Sequence, residues 1–475
     1  MTESPTRQLA EFASHQFRSE LDPEVSAATR RSIVDTLGVS IAAVNEPAVG
    51  VVASIVFGRG GVPEASVLGF SERVPAVSAA LVNGTMAHAL DFDDTHLPSV
   101  LHPSASVVPA ALAVAEVEGS PGAEIETAIA IGIEVTCRLG MAAYDPKLRN
   151  SIFFERGLHA TSICGTIGAA VATTLLYGGD TETVSHAIGI SASMGSGLIE
   201  ANRTGGTIKR VHCGWAAHSG ITAAELATGG LTGPPTVLEG RFGFFEAFTG
   251  GFYDRPSLVG GLGEEWELLR LFTKPYPTNH FTHAGIDAAI KLRQEGVNPD
   301  SISVIRLGVP APVLRVIAEP IDAKAAPESG YSARFSGPFT VATALLGGGG
   351  LGVSAADFSD DAVRDPERLA LSALVHCYAD EQSTRDFPNQ FPGVLNIEIN
   401  DGTSFEHRVT HTRGGPENPL SGDELELKFR INVEPRLGSA GASHVLEAVR
   451  GLTKSSSYQR LVPTFSHSEK EKDLQ

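Results

Sequence analysis

Apolar residues recur at helical spacing through roughly the first 250 residues. After Pro23, the side chains of Ile33, Leu37 and Ile41 fall on the apolar side of a predicted helix that ends near Ala43. Further helices are predicted over 76–90, 103–117, 123–143, 160–176, 181–194 and 216–226. Many of these are apolar nearly all round and rich in Ala and Gly, so we expect them to be buried on most faces and closely packed.

The pattern changes at Lys274-Pro275-Tyr276-Pro277, where two prolines favour an extended or turning segment. A helix over 280–293 follows, and the period-two alternation of 301–309 predicts a half-buried strand. A helix over 334–346 ends in the glycine run 347–350. Asp401-Gly402 lies between two strand patterns, 394–399 and 404–409, which predicts a hairpin. Helical signals return at 424–429 and 443–452.

These elements predict a mainly α fold, in which a large all-α helical domain carries an inserted smaller α+β lid domain. The predicted boundaries are 1–272 for the helical domain and 273–412 for the lid. Residues 413–475 are predicted to return to the helical domain and to end in a frayed polar tail after Lys454.

Composition narrows the possible functions. The chain has 475 residues, 42% hydrophobic residues and a formal net charge of −19, so it can bury a large core but repels nucleic acids and anionic membranes. Its four cysteines form no Cys-x-x-Cys pair, and no basic segment followed by an apolar core marks a signal peptide. We therefore expect a cytoplasmic protein that binds neither nucleic acid nor membrane, and interpret the apolar stretch 161–177 as a buried helix.

The densest group of chemical side chains lies between residues 88 and 102. It comprises three carboxylates, one hydroxyl and three imidazoles: Asp91, Asp93, Asp94, Thr95, His88, His96 and His102. Buried charged groups are usually paired or functional. The simpler alternative is that Asp91 or Asp94 caps a helix and His96 lies on a solvated loop. A phosphatase-like Asp-x-Asp-x-Thr motif is rejected because a helix, not a strand, precedes it, and the histidine spacing matches no dedicated metal motif.

Three further segments could carry chemistry. His159 precedes a buried helix whose N-terminus favours anions. Gly205 and Gly206 would let the backbone approach a ligand beside Lys209 and Arg210, of which at most one is expected to enter a pocket. The third segment, around Lys274, could close over an anion, and its His280-x-x-His283 pair could bind metal or simply begin a helix.

No nucleotide-binding glycine motif follows a predicted strand, so a redox cofactor is unsupported. Together, in order and spacing, the segments resemble the MmgE/PrpD family. The resemblance is carried by 33–38, Asp91 to Thr95, His102-Pro103-Ser104, Gly157-Leu158-His159, Lys209-x-x-His212, 232–240 and Lys274 to Pro277. It implies a large all-α domain, a smaller α+β lid and a homodimer. Members include 2-methylcitrate dehydratase, cis-aconitate decarboxylase and iminodisuccinate epimerase, which act on small polycarboxylates without metal or organic cofactor.

The resemblance also implies a site. The pocket of decarboxylase-like members matches Asp91, Thr95, His102, His159, Lys209 and Lys274, and we add His96 and His212 as candidate substrate-binding residues. Lys209 and Lys274 would hold substrate carboxylates. His102 or His159 would be the general acid–base, Asp91 would orient an imidazole or act as a base, and Thr95 would bind substrate. Whether His96 or His102 faces the ligand stays open.

The predicted activity is that of a cofactor-independent lyase, a decarboxylase or dehydratase, acting on a small di- or tricarboxylate such as an aconitate-like or citrate-like acid. Ala105 stands where methylcitrate dehydratases carry Asp, which disfavours that assignment. The alternative is an epimerase of an iminodisuccinate-like acid that removes and returns a proton.

Overall fold

The computed structural model describes residues 4–204 and 206–454, without the side chains of residues 202 and 203. The fold is mainly α and divides into two compact units. The first unit falls within Met1–Ala89, Asp93–Leu271 and Phe429–Gln475, and the second within Leu90–Phe92 and Phe272–Lys428. The predicted polar tail after Lys454 lies outside the described residues.

Helices build the first unit. The helix predicted over 160–176 is confirmed as Ala160–Leu176, and the one predicted over 216–226 is longer, at His212–Thr228. Sequence reasoning missed two long helices, Pro5–Gln16 and Pro47–Arg59, and the short helices of four to six residues. The remaining helices are Pro23–Ala42, Ala76–Ala89, Ser104–Glu118, Gly122–Ala142, Ile152–Glu155, Thr181–Ser191, Ala201–Thr204, Phe244–Thr249 and Arg255–Val259, with 3₁₀ turns at Ile208–Val211, Glu267–Arg270 and Leu452–Lys454.

Short strands join these helices. Ala65–Ser66 pairs with Arg73–Val74, and Tyr144–Asp145 pairs with Asn150–Ser151, both antiparallel. Two more two-residue strands lie at Thr95–His96 and Leu271–Phe272. None of them interrupts the predicted helices.

Glycine lets two helices of the first unit approach closely. A Cβ on Gly84 would lie 2.8 Å from the Cα of Gly214, and a Cβ on Gly214 would lie 2.1 Å from the carbonyl oxygen of Leu81. Only residues without a side chain fit there. This contact fixes the last turn of Ala76–Ala89, which carries His88, beside the first turn of the helix that begins at His212.

The second unit combines a four-stranded sheet with helices. Ser404–Val409 pairs with Gly393–Ile399, and Gly393–Ile399 with Ile302–Val309, both antiparallel, while Val375–Ala379 lies parallel to Ile302–Val309 on its other side. The predicted hairpin is confirmed, with Gly402 at φ 87° in its turn. Val375–Ala379 was not predicted because its pattern of exposed and buried residues does not alternate regularly.

Helices of the second unit pack on this sheet around one apolar core, which contains Ile305, Leu307, Phe339 and Leu395. The predicted helices appear as His283–Gln294 and Gly337–Leu346, and the latter ends at Gly347 with φ 90°. The other helices are Leu314–Ile317, Ile321–Ala325, Gly330–Ala333, Pro366–Ser372 and Glu381–Asp386, with 3₁₀ turns at His280–Thr282, Pro299–Ser301, Ala311–Val313, Ala355–Phe358 and Ala362–Arg364.

The segment Gly422–Arg450 contains both C-terminal helical signals as two helices, separated by a kink at Gly438, whose φ is 67°. It passes from the second unit into the first between Lys428 and Phe429. Over the described residues, no single helix is long and apolar enough to span a membrane; Pro23–Ala42 and Pro47–Arg59 pass that test only as a pair bent by 91°.

Candidate active site

The first unit holds a buried imidazole–carboxylate pair at the end of Ala76–Ala89. The Nδ1 of His88 donates a hydrogen bond to Oδ2 of Asp93 at 2.7 Å, and the residues are 3% and 2% exposed. Since a carboxylate can only accept from the ring, this bond assigns a proton to Nδ1. The Nε2 atom of His88 is buried and has no hydrogen-bond partner.

His102 lies just before the helix Ser104–Glu118 and beside this pair. Its Nδ1 donates to the carbonyl oxygen of Asp94 at 2.6 Å and approaches Thr95 Oγ1 at 3.4 Å. Its side chain remains 16% exposed. The ring can therefore exchange protons through Nε2, the nitrogen that the carbonyl does not engage.

Asp94 supports the start of the helix rather than an imidazole. Its carboxylate accepts hydrogen bonds from the backbone and the hydroxyl of Ser104, the first helical residue. Burial raises the pKa of Asp94 to about 7, and the neighbouring charge of Asp93 acts in the same direction. The N-cap residue of this helix is Pro103, so Asp94 is not a cap in the predicted sense but binds the first helical residue from an earlier segment.

His159 and His212 form the other half of the group. Their Nδ1 atoms lie 2.9 Å apart, so one ring donates and the other accepts. Burial, followed by the charges of His88 and Lys209, lowers the pKa of His159 well below its ordinary value and that of His212 to about 4. Both rings are neutral at pH 7.

Ring contacts connect the four histidines in the order His102, His88, His159, His212, with centroids separated by 5.3, 5.5 and 5.0 Å. We call these four residues the imidazole cluster. Buried imidazoles can take up and return protons, and they become better bases when an anion binds beside them.

Lys209 supplies positive charge to this cluster. It is 9% exposed on the 3₁₀ turn Ile208–Val211, and its charge lowers the pKa of both His159 and His212. The next residue, Arg210, instead pairs with Glu46 at 3.3 Å. Of the two glycines before these cations, Gly205 lies outside the described residues.

His96 makes its hydrogen bonds in another part of the first unit. Its Nε2 donates to Glu267 at 3.1 Å, and its Nδ1 lies 2.6 Å from the Ser99 hydroxyl. Burial lowers the pKa of His96, although Glu267 opposes the shift, so the neutral ring accepts from Ser99 through Nδ1. Both nitrogens are engaged in protein contacts, whereas His102 lies in the imidazole cluster.

Asp91 and Lys274 lie together in the second unit. The Nζ of Lys274 donates to the carbonyl oxygen of Asp91 at 2.9 Å and lies 3.5 Å from its Oδ1. Both residues are buried, and the backbone of Asp91 has φ 53°, in the left-handed region.

Two further cations bind the residues on either side of Asp91. Arg334 donates to the Leu90 carbonyl at 2.8 Å, and Lys428 donates to the Phe92 carbonyl at 3.3 Å with its Nζ 4.0 Å from the Phe92 ring centroid. Three buried cations therefore hold three consecutive carbonyls. We call Lys274, Arg334 and Lys428 the cation clamp; sequence reasoning missed Arg334 and Lys428, which lie 244 and 336 residues from their partners.

The His280 and His283 pair begins a helix. A 3₁₀ turn, His280–Thr282, leads into His283–Gln294, and the Nε2 of His283 donates to the carbonyl of Thr278 at 3.3 Å. Burial and the charge of Lys274 lower the pKa of His283 to about 3. The ring therefore acts as a neutral hydrogen-bond donor within the second unit.

One group of possible metal ligands lies in the first unit. The donor atoms of His88, Asp93 and Cys213 fall within 4.8 Å of one another. Asp93 already accepts from His88, and burial raises the pKa of the Cys213 thiol well above its ordinary value. A metal would have to compete with that hydrogen bond and displace that proton.

The predicted residues thus fall into three places. Thr95, His102, His159, Lys209 and His212 lie in or beside the imidazole cluster; Asp91 and Lys274 meet in the second unit; and His96 binds Glu267. The principal residues that sequence reasoning did not place in the site are His88 and Asp93. The dense segment 88–102 contained both, but nothing in their spacing distinguished them from Asp94, which binds Ser104 instead.

The chain matches one family along most of its length. Residues 7–256 match the MmgE/PrpD N-terminal domain and residues 276–454 the MmgE/PrpD C-terminal domain. The cis-aconitate decarboxylase of Aspergillus terreus (strain NIH 2624 / FGSC A1156) is 29% identical over 387 residues, which cover 77% of this chain and 76% of that protein.

Two further relatives span different activities. The cis-aconitate decarboxylase of Homo sapiens is 30% identical over 393 residues, covering 80% of this chain and 77% of that protein. The 2-methylcitrate dehydratase of Cupriavidus necator is 26% identical over 475 residues, covering 94% of this chain and 93% of that protein.

Proposed function

Because the chain belongs to the MmgE/PrpD family, we propose that it is a lyase acting on a small tricarboxylic or dicarboxylic acid, with a cis-aconitate-like acid as the first candidate. The names of the relatives support this class, since they are decarboxylases and dehydratases of such acids. The observation that carries the proposal is the imidazole cluster beside the buried cation Lys209.

Lys209 would bind a substrate carboxylate by a charge-assisted hydrogen bond, which is strong where water is excluded. Thr95 would hydrogen-bond the substrate beside His102. These contacts would orient the acid and place the carbon next to a carboxylate within reach of an imidazole.

The imidazoles would carry the proton that this chemistry needs. In a decarboxylation, the bond from carbon to the leaving carboxylate breaks, CO₂ departs, and the electron pair stays on the substrate. The imidazolium form of His102 or His159, protonated when the substrate anion binds, then donates one N–H proton to carbon and returns to the neutral ring. Substrate carboxylates favour this step because an added negative charge raises the pKa of imidazoles that burial has lowered.

An NMR time course in D₂O tests the proposal directly. cis-Aconitate, 2-methylcitrate, citrate and iminodisuccinate are offered separately, with and without a chelator. We expect loss of CO₂, or a new or lost double bond, with one acid and at equal rates in both conditions. Stereoisomer interconversion with deuterium uptake would instead support the epimerase. Inertness towards all four acids would contradict the proposed substrate class, and loss of activity with chelator would contradict cofactor independence.

The homodimer, the inserted-lid arrangement and the cytoplasmic location are further proposals that rest on the family resemblance and composition. Trp215 and Leu226, which are 44% and 40% exposed, lie three turns apart on one face of His212–Thr228 and support a self-association surface. Light scattering after size-exclusion chromatography measures the mass directly, and 49.7 kDa rather than twice that value would contradict the dimer.

A further inference from the structure

His88 combines features that mark a proton-transfer group. It is fixed by a carboxylate on one side, buried from water, and in ring contact with His102 and His159. Its position on the helix is set by the contact of Gly84 with Gly214, one turn earlier.

The unpartnered atom of His88 is its Nε2. Buried polar atoms in proteins nearly always have a hydrogen-bond partner, and one without a partner calls for an explanation. Because Asp93 occupies Nδ1, only Nε2 can bind a ligand or exchange a proton with it. Bulk solvent does not reach this nitrogen, which leaves it available to a group that enters the imidazole cluster.

We propose that His88 and Asp93 form a catalytic dyad, in which Nε2 of His88 exchanges a proton with the substrate and Asp93 is the positioning residue that holds the ring. This inference rests on the proposed function and assigns the protonation of carbon to His88 in place of His102 or His159. In the decarboxylation, Nε2–H gives its proton to the carbon that keeps the electron pair, and the ring becomes neutral with Nδ1–H still bound to Asp93.

His102 completes the proton route. Its ring lies beside that of His88 and is partly exposed, so it can restore the proton from solvent. Asp93 stabilises the cationic form of His88 before the transfer and keeps the neutral form in the Nδ1–H tautomer after it.

The first test measures the tautomer without any substrate. Long-range proton–nitrogen NMR of the full chain labelled with ¹⁵N-histidine is recorded across pH, and the signals of His88 are assigned by their loss in His88→Gln. We expect Nδ1 to stay protonated throughout, with any titration confined to Nε2. A His88 ring that is protonated only at Nε2 overturns the proposal, whether or not a substrate is known.

The second test uses the acid that the enzyme turns over. His88→Gln should lower kcat by about 10²–10⁴-fold, the usual contribution of a general acid–base, with a much smaller change in KM. Asp93→Asn should also lower kcat and alter its pH profile, and thermal unfolding shows whether each variant is folded. His218→Gln is the matched control, because His218 contacts the same helix through the Val77 carbonyl but lies outside the imidazole cluster.

The outcomes separate the two proposals. Turnover by the wild type together with unchanged kcat in a folded His88→Gln or Asp93→Asn variant refutes the dyad and leaves the proposed function standing. Inertness of the wild type towards every acid contradicts the proposed function, while the NMR experiment still decides the tautomer.

Discussion

Replacing Lys274 by Met removes the charge that holds Asp91 but keeps most of the buried side-chain volume. Lys274 and Asp91 are 1% and 4% exposed at their side chains, so water cannot replace the lost partner. For charges 3.5 Å apart, Coulomb's law at an effective dielectric of about 20 gives about 5 kcal/mol. Removing one partner of a buried pair typically costs about 3–5 kcal/mol. We therefore expect Lys274→Met to reduce the free energy of unfolding by about 3–5 kcal/mol.

A double-mutant cycle separates the interaction energy of the Lys274–Asp91 pair from the effect of each residue on its other neighbours. Asp91→Asn keeps the size of the side chain, and Asn tolerates the φ of 53° that this position requires. The double variant Lys274→Met/Asp91→Asn carries neither charge of this pair, so no buried charge is left without its partner. It should therefore be more stable than the sum of the two single effects by at least about 2 kcal/mol.

Urea unfolding followed by far-UV circular dichroism measures these changes. Tryptophan fluorescence reports separately on the first unit, because both tryptophans, Trp215 and Trp266, lie there. Lys291→Met is the control: this lysine pairs with Glu295 at 3.4 Å with its side chain 49% exposed, and such surface pairs contribute about 0–1 kcal/mol. Equal stability of Lys274→Met and Lys291→Met, or additive effects in the cycle, would refute the reasoning.

The double variant also tests the predicted role of Lys274 in substrate binding. The structure already commits its Nζ to the carbonyl and the carboxylate of Asp91. If the two residues only stabilise the second unit, restored stability should restore turnover. If they also act on substrate, as predicted from the family resemblance, turnover should stay low in a stable protein.

Three further predictions concern the first unit. Lys209→Met should raise KM at least tenfold in steady-state assays. Arg210→Met is the control and should change KM little, because Arg210 pairs with Glu46. Equal KM values in the two variants would argue against a substrate contact for Lys209. Substrate binding should take up protons, since an anion raises the lowered pKa of His159. Calorimetry in buffers of different ionisation enthalpy measures this uptake, and proton release would contradict the prediction. Gly214→Ala should destabilise the protein by about 1–3 kcal/mol through overpacking, whereas Gly58→Ala, with open space around its Cβ, should not lower the melting temperature.

Local sequence pattern was sufficient for most of the helices of ten residues or more. Ala160–Leu176 and Ala76–Ala89 follow from apolar periodicity, and the hairpin at Gly402 follows from turn chemistry. Val375–Ala379 was missed because its strand character comes from pairing with Ile302–Val309 rather than from its own alternation. Its neighbours in the sheet, not its composition, make it a strand.

The sequence by itself placed the chemical groups on the chain: the acidic and imidazole side chains of 88–102, the histidine before Ala160–Leu176, and the lysines at 209 and 274. Only the tertiary structure decided their partners. In the folded chain, both ring nitrogens of His96 are hydrogen-bonded, whereas Nε2 of His88 has no hydrogen-bond partner. Lys428 binds a carbonyl that lies 336 residues away along the chain. Periodicity specifies which face of a helix a residue occupies, whereas hydrogen bonds form over about 3 Å and depend on which distant segment packs against that face.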